Sequence, residues 1–181
     1  MGVFFIMKKI TTRRIAVDGM LSALCFVLAT YCSVEVSNSM KFTLDAFPII
    51  MAAFMFGPVD GMIVGGVGTF LYQVVKYGVS YTTVLWILPA LVRGAFLGVY
   101  AMIKKYDMKR VEMLIVVIIS SLLVTALNTL IIYLDGIIWG YKTAVLATLP
   151  YRIISSVIIA VIYGLLVPEV IFRLKPTLVE K

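Results

Sequence analysis

Arg93 lies near the middle of the apolar run from Thr82 to Lys105, and Arg152 lies within a second run, Ala147 to Phe172. An arginine at bilayer depth costs at least ~2.5 kcal/mol on insertion scales, so each must face a bundle interior, a water-filled cavity or an anionic partner. A guanidinium grips a carboxylate or phosphate through two parallel hydrogen bonds, which is the chemistry such a pair could perform. Thr69, Gln73, Trp86, Thr125, Asn128, Thr129, Tyr151 and Ser155 fall in the same half of their own apolar runs as Arg152. Polar groups from at least four segments thus share one depth, which points to a cavity. No acid is read at that depth, which favours an anionic ligand, and Trp86, Tyr72 and Tyr151 could supply apolar walls. The candidate binding residues are Arg93, Arg152, Trp86, Asn128, Tyr151, Gln73, Thr125 and Ser155.

Each has a plainer reading beside the functional one. Arg152, about five residues into its run, could snorkel to the interface. Arg93 could bond carbonyls freed by Pro89, which deprives the Leu85 carbonyl of its helical donor and is expected to bend the helix. Trp86 and Tyr81 could be interfacial-belt aromatics, and Asn128 could bridge two helices.

The elements that must position these residues are membrane helices. The chain has 181 residues, 62% of them hydrophobic and 14% charged, with a mean hydropathy of +1.09. That composition belongs to an all-α integral membrane protein with room for about six spans. The spans are expected at 15–33, 43–56, 59–76, 83–103, 111–134 and 147–172, forming one bundle without a separate soluble domain. The second is short, about 21 Å if helical throughout, and reads as incomplete or inset; Pro48 suits its entry. Phe56-Gly57-Pro58-Val59-Asp60-Gly61 reads as a tight turn, and Gly61, Gly65, Gly66 and Gly68 as a close-packing stripe. Residues 34–43, with Glu35, Ser37, Asn38, Ser39 and Lys41, form a polar loop that could cap a site. Residues 135–146, with Asp135, Trp139 and Lys142, form a second loop on the same side.

Bases fix the expected orientation. Lys8, Lys9, Arg13, Arg14, Lys104, Lys105, Lys109, Arg110, Arg173, Lys175 and Lys181 flank spans on one side, eleven in all, against Lys41, Lys76 and Lys142 on the other. The bias places both termini in the cytoplasm. It also accounts for the net charge of +7 without nucleic acid. Asp18 inside the first run, and the many later spans, argue against a cleaved signal peptide. Met7 could be the start, with residues 1–6 contributing little. Asp18 is expected to pair with Arg14 four residues earlier. Gly19-x-x-x-Ala23, with Ser22 beside it, makes a smooth strip that serves either as a docking face for a second polypeptide or for packing within the bundle.

The chain has no histidine, and Cys25 and Cys32 are seven residues apart on one span, so neither a metal site nor a disulfide is expected. No G-x-x-x-x-G-K-[ST] run occurs, so the chain does not itself hydrolyse ATP. Without a histidine base or an intramembrane lysine, an enzyme is not expected. A stand-alone secondary carrier would want a membrane-embedded carboxylate, and Asp18 and Asp60 both read as near the inner face. A scaffold of an envelope-building complex would leave the polar cluster unexplained.

The order of these features resembles the substrate-binding S components of energy-coupling factor (ECF) vitamin transporters. The resemblance is carried by Arg13-Arg14…Gly19-x-x-x-Ala23, Phe56-Gly57-Pro58-x-x-Gly61 followed by Gly65, Thr82-Thr83-Val84-Leu85-Trp86-Ile87-Leu88-Pro89…Arg93-Gly94, and Leu149-Pro150-x-Arg152. It spans residues 10 to 175. The family's first-helix strip usually has alanine where this chain has Gly19, which keeps a small residue there. The resemblance implies a multi-pass subunit in the bacterial cytoplasmic membrane, with an outward-facing vitamin pocket capped by the loop between the first two helices. It implies docking through the first helix, at Gly19, Ser22 and Ala23, on a transmembrane coupling subunit that works with two cytoplasmic ATPases, and transport by tipping of the loaded subunit. No cofactor is implied. With two arginines, the folate and pantothenate branches fit the charge better than riboflavin or thiamine.

Overall fold

The computed structural model describes residues 11–37, 40–140 and 145–179, with side chains for 11–33, 43–140 and 149–173. Six helices follow in order: α1 (Thr12–Tyr31), α2 (Ala46–Phe56), α3 (Pro58–Tyr77), α4 (Thr83–Ile103), α5 (Arg110–Trp139) and α6 (Val145–Val179). Five are long and apolar enough to cross a membrane. The second expected span, read as incomplete or inset over 43–56, is α2 and is shorter still. With 11 residues it reaches only about 16 Å, and nine of them are buried among its neighbours. An element hydrophobic all round packs at the centre of a bundle.

The segment before α2, expected as a loop, is a hairpin: β1 (Ser33–Ser37) pairs antiparallel with β2 (Met40–Thr43). The capping role expected of Glu35, Ser37, Asn38, Ser39 and Lys41 rests on side chains outside those described. The 135–146 loop is also corrected. Asp135 and Trp139 belong to the last turns of α5, which ends at Gly140 with φ 71°, a left-handed cap that glycine adopts without strain. Lys142, like Lys8, Lys9, Lys175, Lys181 and residues 1–6, lies outside the described residues or side chains.

Helices α3 and α4 meet backbone to backbone. A Cβ on Gly94 would lie 2.3 Å from the Gly61 carbonyl carbon, and one on Gly98 would lie 2.3 Å from Pro58 Cα. Of the close-packing stripe of α3, Gly61, Gly65 and Gly66 face α4 and Gly68 faces Cys25 of α1, and α4 runs unbroken through Pro89. Replacing Gly94 with alanine forces two backbones apart and should cost about 1–3 kcal/mol. The check is thermal unfolding in detergent, with Gly19→Ala as control, since nothing lies within 4 Å of a Cβ at Gly19.

One end of the bundle gathers charge. Arg14 binds both carboxylate oxygens of Asp60 and donates to the Phe56 carbonyl at 2.9 Å. The partner expected for Arg14, Asp18, is instead buried beside that pair, with its Oδ1 unbonded among the described residues. Two carboxylates compete for one guanidinium, and Asp60 receives the bidentate grip. Lys104 donates to Glu112 at 3.1 Å, and Glu169 bridges Arg110 at 3.1 Å and Arg173 at 3.3 Å. In the turn between α4 and α5, burial pushes the Tyr106 phenol up, and the hydrogen bond to Glu112 pushes the Lys104 ammonium up. This basic end also carries the main packed core, where Ile50 and Phe54 of α2 meet Leu97, Val117, Tyr163 and Val167.

Candidate functional site

A cavity of about 210 Å³ occupies the other half of the bundle. Its position follows from the length of α2. That helix fills the centre at the basic end and then stops at its N-cap Asp45, so the longer helices enclose space beyond it. Trp86, Pro89, Ala90 and Arg93 of α4 form one wall. Ser121, Val124, Thr125 and Asn128 of α5 form a second, and Arg152, Ser155, Ser156, Ile159 and Tyr163 of α6 a third. Thr69 of α3, Ile49 of α2 and the Thr43–Asp45 connection complete it.

Three hydroxyls on the α5 and α6 walls donate to their own helices. Thr125 donates to the Ser121 carbonyl at 2.9 Å, Ser155 to the Arg152 carbonyl at 3.0 Å, and Ser156 to the Ile153 carbonyl at 2.8 Å. Their oxygens remain as acceptors. The arginines are in the opposite condition: Arg93 Nε and Arg152 Nη1 are buried without a hydrogen-bond partner among the described residues. Arg152 is only 9% exposed. A buried cationic donor left unbonded is expensive, which makes this lining receptive to an anionic acceptor.

Asp45 also lines the cavity, so, contrary to the expectation of no acid there, a carboxylate stands at that depth. Its Oδ1 accepts from the Thr43 hydroxyl, and no ion pair joins it to Arg93 or Arg152 among the described residues. Tyr163 fastens the same connection by donating to the Thr43 carbonyl at 2.6 Å.

Comparison with known proteins decides the family. Residues 13–171 match the family described as "ECF transporter, substrate-specific component". The chain belongs to it. This S component also resembles UPF0397 proteins of Streptococcus thermophilus, strains CNRZ 1066 and ATCC BAA-491 / LMD-9. Each is 25% identical over 128 residues, spanning 70% of this chain and 68% of the relative. Among solved structures, a bacterial ECF transporter S component superposes with TM-score 0.65 at 25% identity, over 90% of this chain and 98% of the other. FolT bound with folic acid superposes with TM-score 0.64 at 25% identity, over 86% and 91%. The chain is therefore a multi-pass membrane subunit that binds the substrate of an ECF transporter, a family of transporter components rather than enzymes.

Within the S component, six of the eight expected binding residues line the cavity: Arg93, Arg152, Trp86, Asn128, Thr125 and Ser155. Two do not. Tyr151 is 65% exposed, because it sits about 100° around the helix from Arg152 and only one of the pair can face inward. Gln73 lies one turn of α3 beyond Thr69, past the lining. Tyr72, expected as a wall, packs edge-on against Tyr77 with ring centroids 6.0 Å apart, and Tyr81 is 96% exposed. Asp45, Tyr163 and Ser121 were not singled out by sequence.

The expected docking strip also divides. Gly19 and Ala23 are exposed on α1, while Ser22 is buried and donates to the Asp18 carbonyl at 2.7 Å. Ser22 is corrected to the inward face, which it shares with Asp18, Cys25 and Ala29. Its hydroxyl satisfies itself on the preceding turn and can be buried there without further cost.

Proposed function

We propose that this S component captures a water-soluble, carboxylated vitamin of the folate or pantothenate class in a cavity that opens to the outside of a bacterial cytoplasmic membrane. The observation that carries the reading is the pair of arginines with unbonded buried N–H groups on one cavity. A carboxylate supplies both missing acceptors and missing charge. The folic-acid complex of a structural neighbour adds support for the class.

The basic end, with Arg13, Arg14, Lys104, Lys105, Lys109, Arg110 and Arg173, is the cytoplasmic side in this reading, by the excess of bases expected there. Both termini then lie inside. The exposed Gly19 and Ala23 of α1 dock on a transmembrane coupling subunit, which draws on two cytoplasmic ATPases.

Native mass spectrometry of the detergent-purified chain should reveal a co-purified vitamin. Equilibrium binding of folic acid and of pantothenate then tests the arginines. Arg93→Ala and Arg152→Ala should each weaken the bound vitamin by roughly 30-fold or more, the loss expected when one side of a buried charged contact is removed. Unchanged affinity in both variants rejects the assignment.

A further inference from the structure

Three charged side chains line the cavity among the described residues: Asp45, Arg93 and Arg152. None of them is in an ion pair among those residues, and in this the two arginines are alike.

Helix packing spaces the carboxylate from Arg93. A Cβ on Gly61 of α3 would lie 2.9 Å from the Ala53 Cβ of α2 and 2.9 Å from the Gly94 Cα of α4. Further along α3, Gly65 meets Ala90, so α4 runs antiparallel to α3, while α2 doubles back along α3 from the turn at Gly57. Eight residues from this contact along each helix stand Asp45, Thr69 and Trp86, which therefore share one level. All three line the cavity. Arg93 lies about 10 Å along α4 from Trp86.

The carboxylate is also fixed where it stands. Its Oδ1 accepts from the Thr43 hydroxyl, and the Thr43 carbonyl accepts in turn from the Tyr163 hydroxyl at 2.6 Å. These neutral donors bring no positive charge to offset it.

The three charges thus act on the whole cavity rather than cancelling at a contact. Two guanidiniums against one carboxylate leave the described lining with a single net positive charge. Even at an effective dielectric constant of about 20, unit charges about 10 Å apart alter each other's binding about tenfold. One negative charge on a ligand balances this site. A second finds no unmatched cation and is repelled by Asp45.

We infer that the cavity takes an acid with a single negative charge: both arginines supply the attraction, and Asp45 sets its limit by rejecting a second anionic group. The substrate is then a monocarboxylate such as pantothenate rather than a dicarboxylate such as folic acid. This rests on the vitamin-site reading of the cavity.

The test uses acids paired by charge. Folic acid carries one carboxylate more than pteroic acid, and phosphopantothenate adds a phosphate to pantothenate. For a pair that binds the purified protein, the less charged acid should bind at least about tenfold tighter, and Asp45→Asn should shrink that ratio about tenfold. The change in ratio separates charge from size, since the substitution leaves the size of position 45 almost unchanged. A preference of the unsubstituted protein for the more charged acid, or a ratio unchanged in Asp45→Asn, overturns the inference. Thermal unfolding of the ligand-free protein in detergent reads the same charges without any vitamin. Asp45→Asn, which raises the net charge of the cavity, should lower the midpoint by about 2–4 °C, and adding either Arg93→Gln or Arg152→Gln should return at least half of the loss. A loss that neither arginine substitution returns overturns the charge balance. Failure of all four acids to bind, with the loss returned, removes the vitamin reading and supports the charge balance.

Discussion

An Arg14→Met protein is expected to lose about 3–5 kcal/mol of stability, the usual cost of removing one partner from a buried ion pair. The local arithmetic is severe. Asp60 is 3% exposed and Asp18 6% exposed, and Arg14 is the cation that binds Asp60 through both oxygens. Removing it leaves two buried carboxylates side by side, which repel each other. It also leaves the Phe56 carbonyl without its 2.9 Å donor, just where α2 gives way to α3. In detergent the unfolding midpoint should fall by at least about 6 °C. Adding Asp60→Asn should restore at least half of the loss, because a neutral amide needs no counter-charge. An unchanged midpoint in Arg14→Met would show that the pair contributes nothing.

The second large effect is on transport. Leucine at Gly19 or Ala23 should leave vitamin affinity within about twofold and lower uptake at least about tenfold in cells that carry the coupling subunit and ATPases, because a protruding side chain stops two helices from approaching closely. The structure lets this surface be tested without damage to the bundle, since both positions are exposed and a Cβ at Gly19 meets nothing within 4 Å. Ser22→Leu is the contrasting case. Its side chain would enter the buried face of α1 and should destabilise the protein itself. Uptake that survives leucine at both exposed positions would remove α1 as the docking helix.

The residues legible in the sequence were those whose type conflicts with their surroundings. Arg93 and Arg152 stand out in apolar runs, and with Trp86, Asn128, Thr125 and Ser155 they do line one cavity. Asp45 was not legible, because it sits at the border of a segment whose depth depends on tertiary packing. A reader of the sequence sees a polar residue at the start of a short span, and the shortness of α2 is what carries it inside. Tyr151 and Ser22 failed for a common reason. Tyr151 is next to Arg152, which lines the cavity, and Ser22 is next to Ala23, which is exposed; one step along a helix turns a side chain by about 100°, so sequence proximity misled where facing was decisive. The pairing of Arg14 with Asp60 was hidden too, since those residues are 46 apart and the nearer carboxylate at Asp18 offered a simpler local answer.

The glycine contacts between α3 and α4 also bear on how a ligand could enter. Between Gly61 and Gly94, and between Pro58 and Gly98, no side chains intervene that could change rotamer, so sliding would drive peptide groups into one another. At this contact the two helices are locked against sliding. Helices α5 and α6 meet differently: a Cβ on Gly164 would first meet the flexible end of the Leu114 side chain, ahead of the Leu114 Cα at 3.2 Å, so this contact keeps a side-chain freedom that the contact between α3 and α4 lacks.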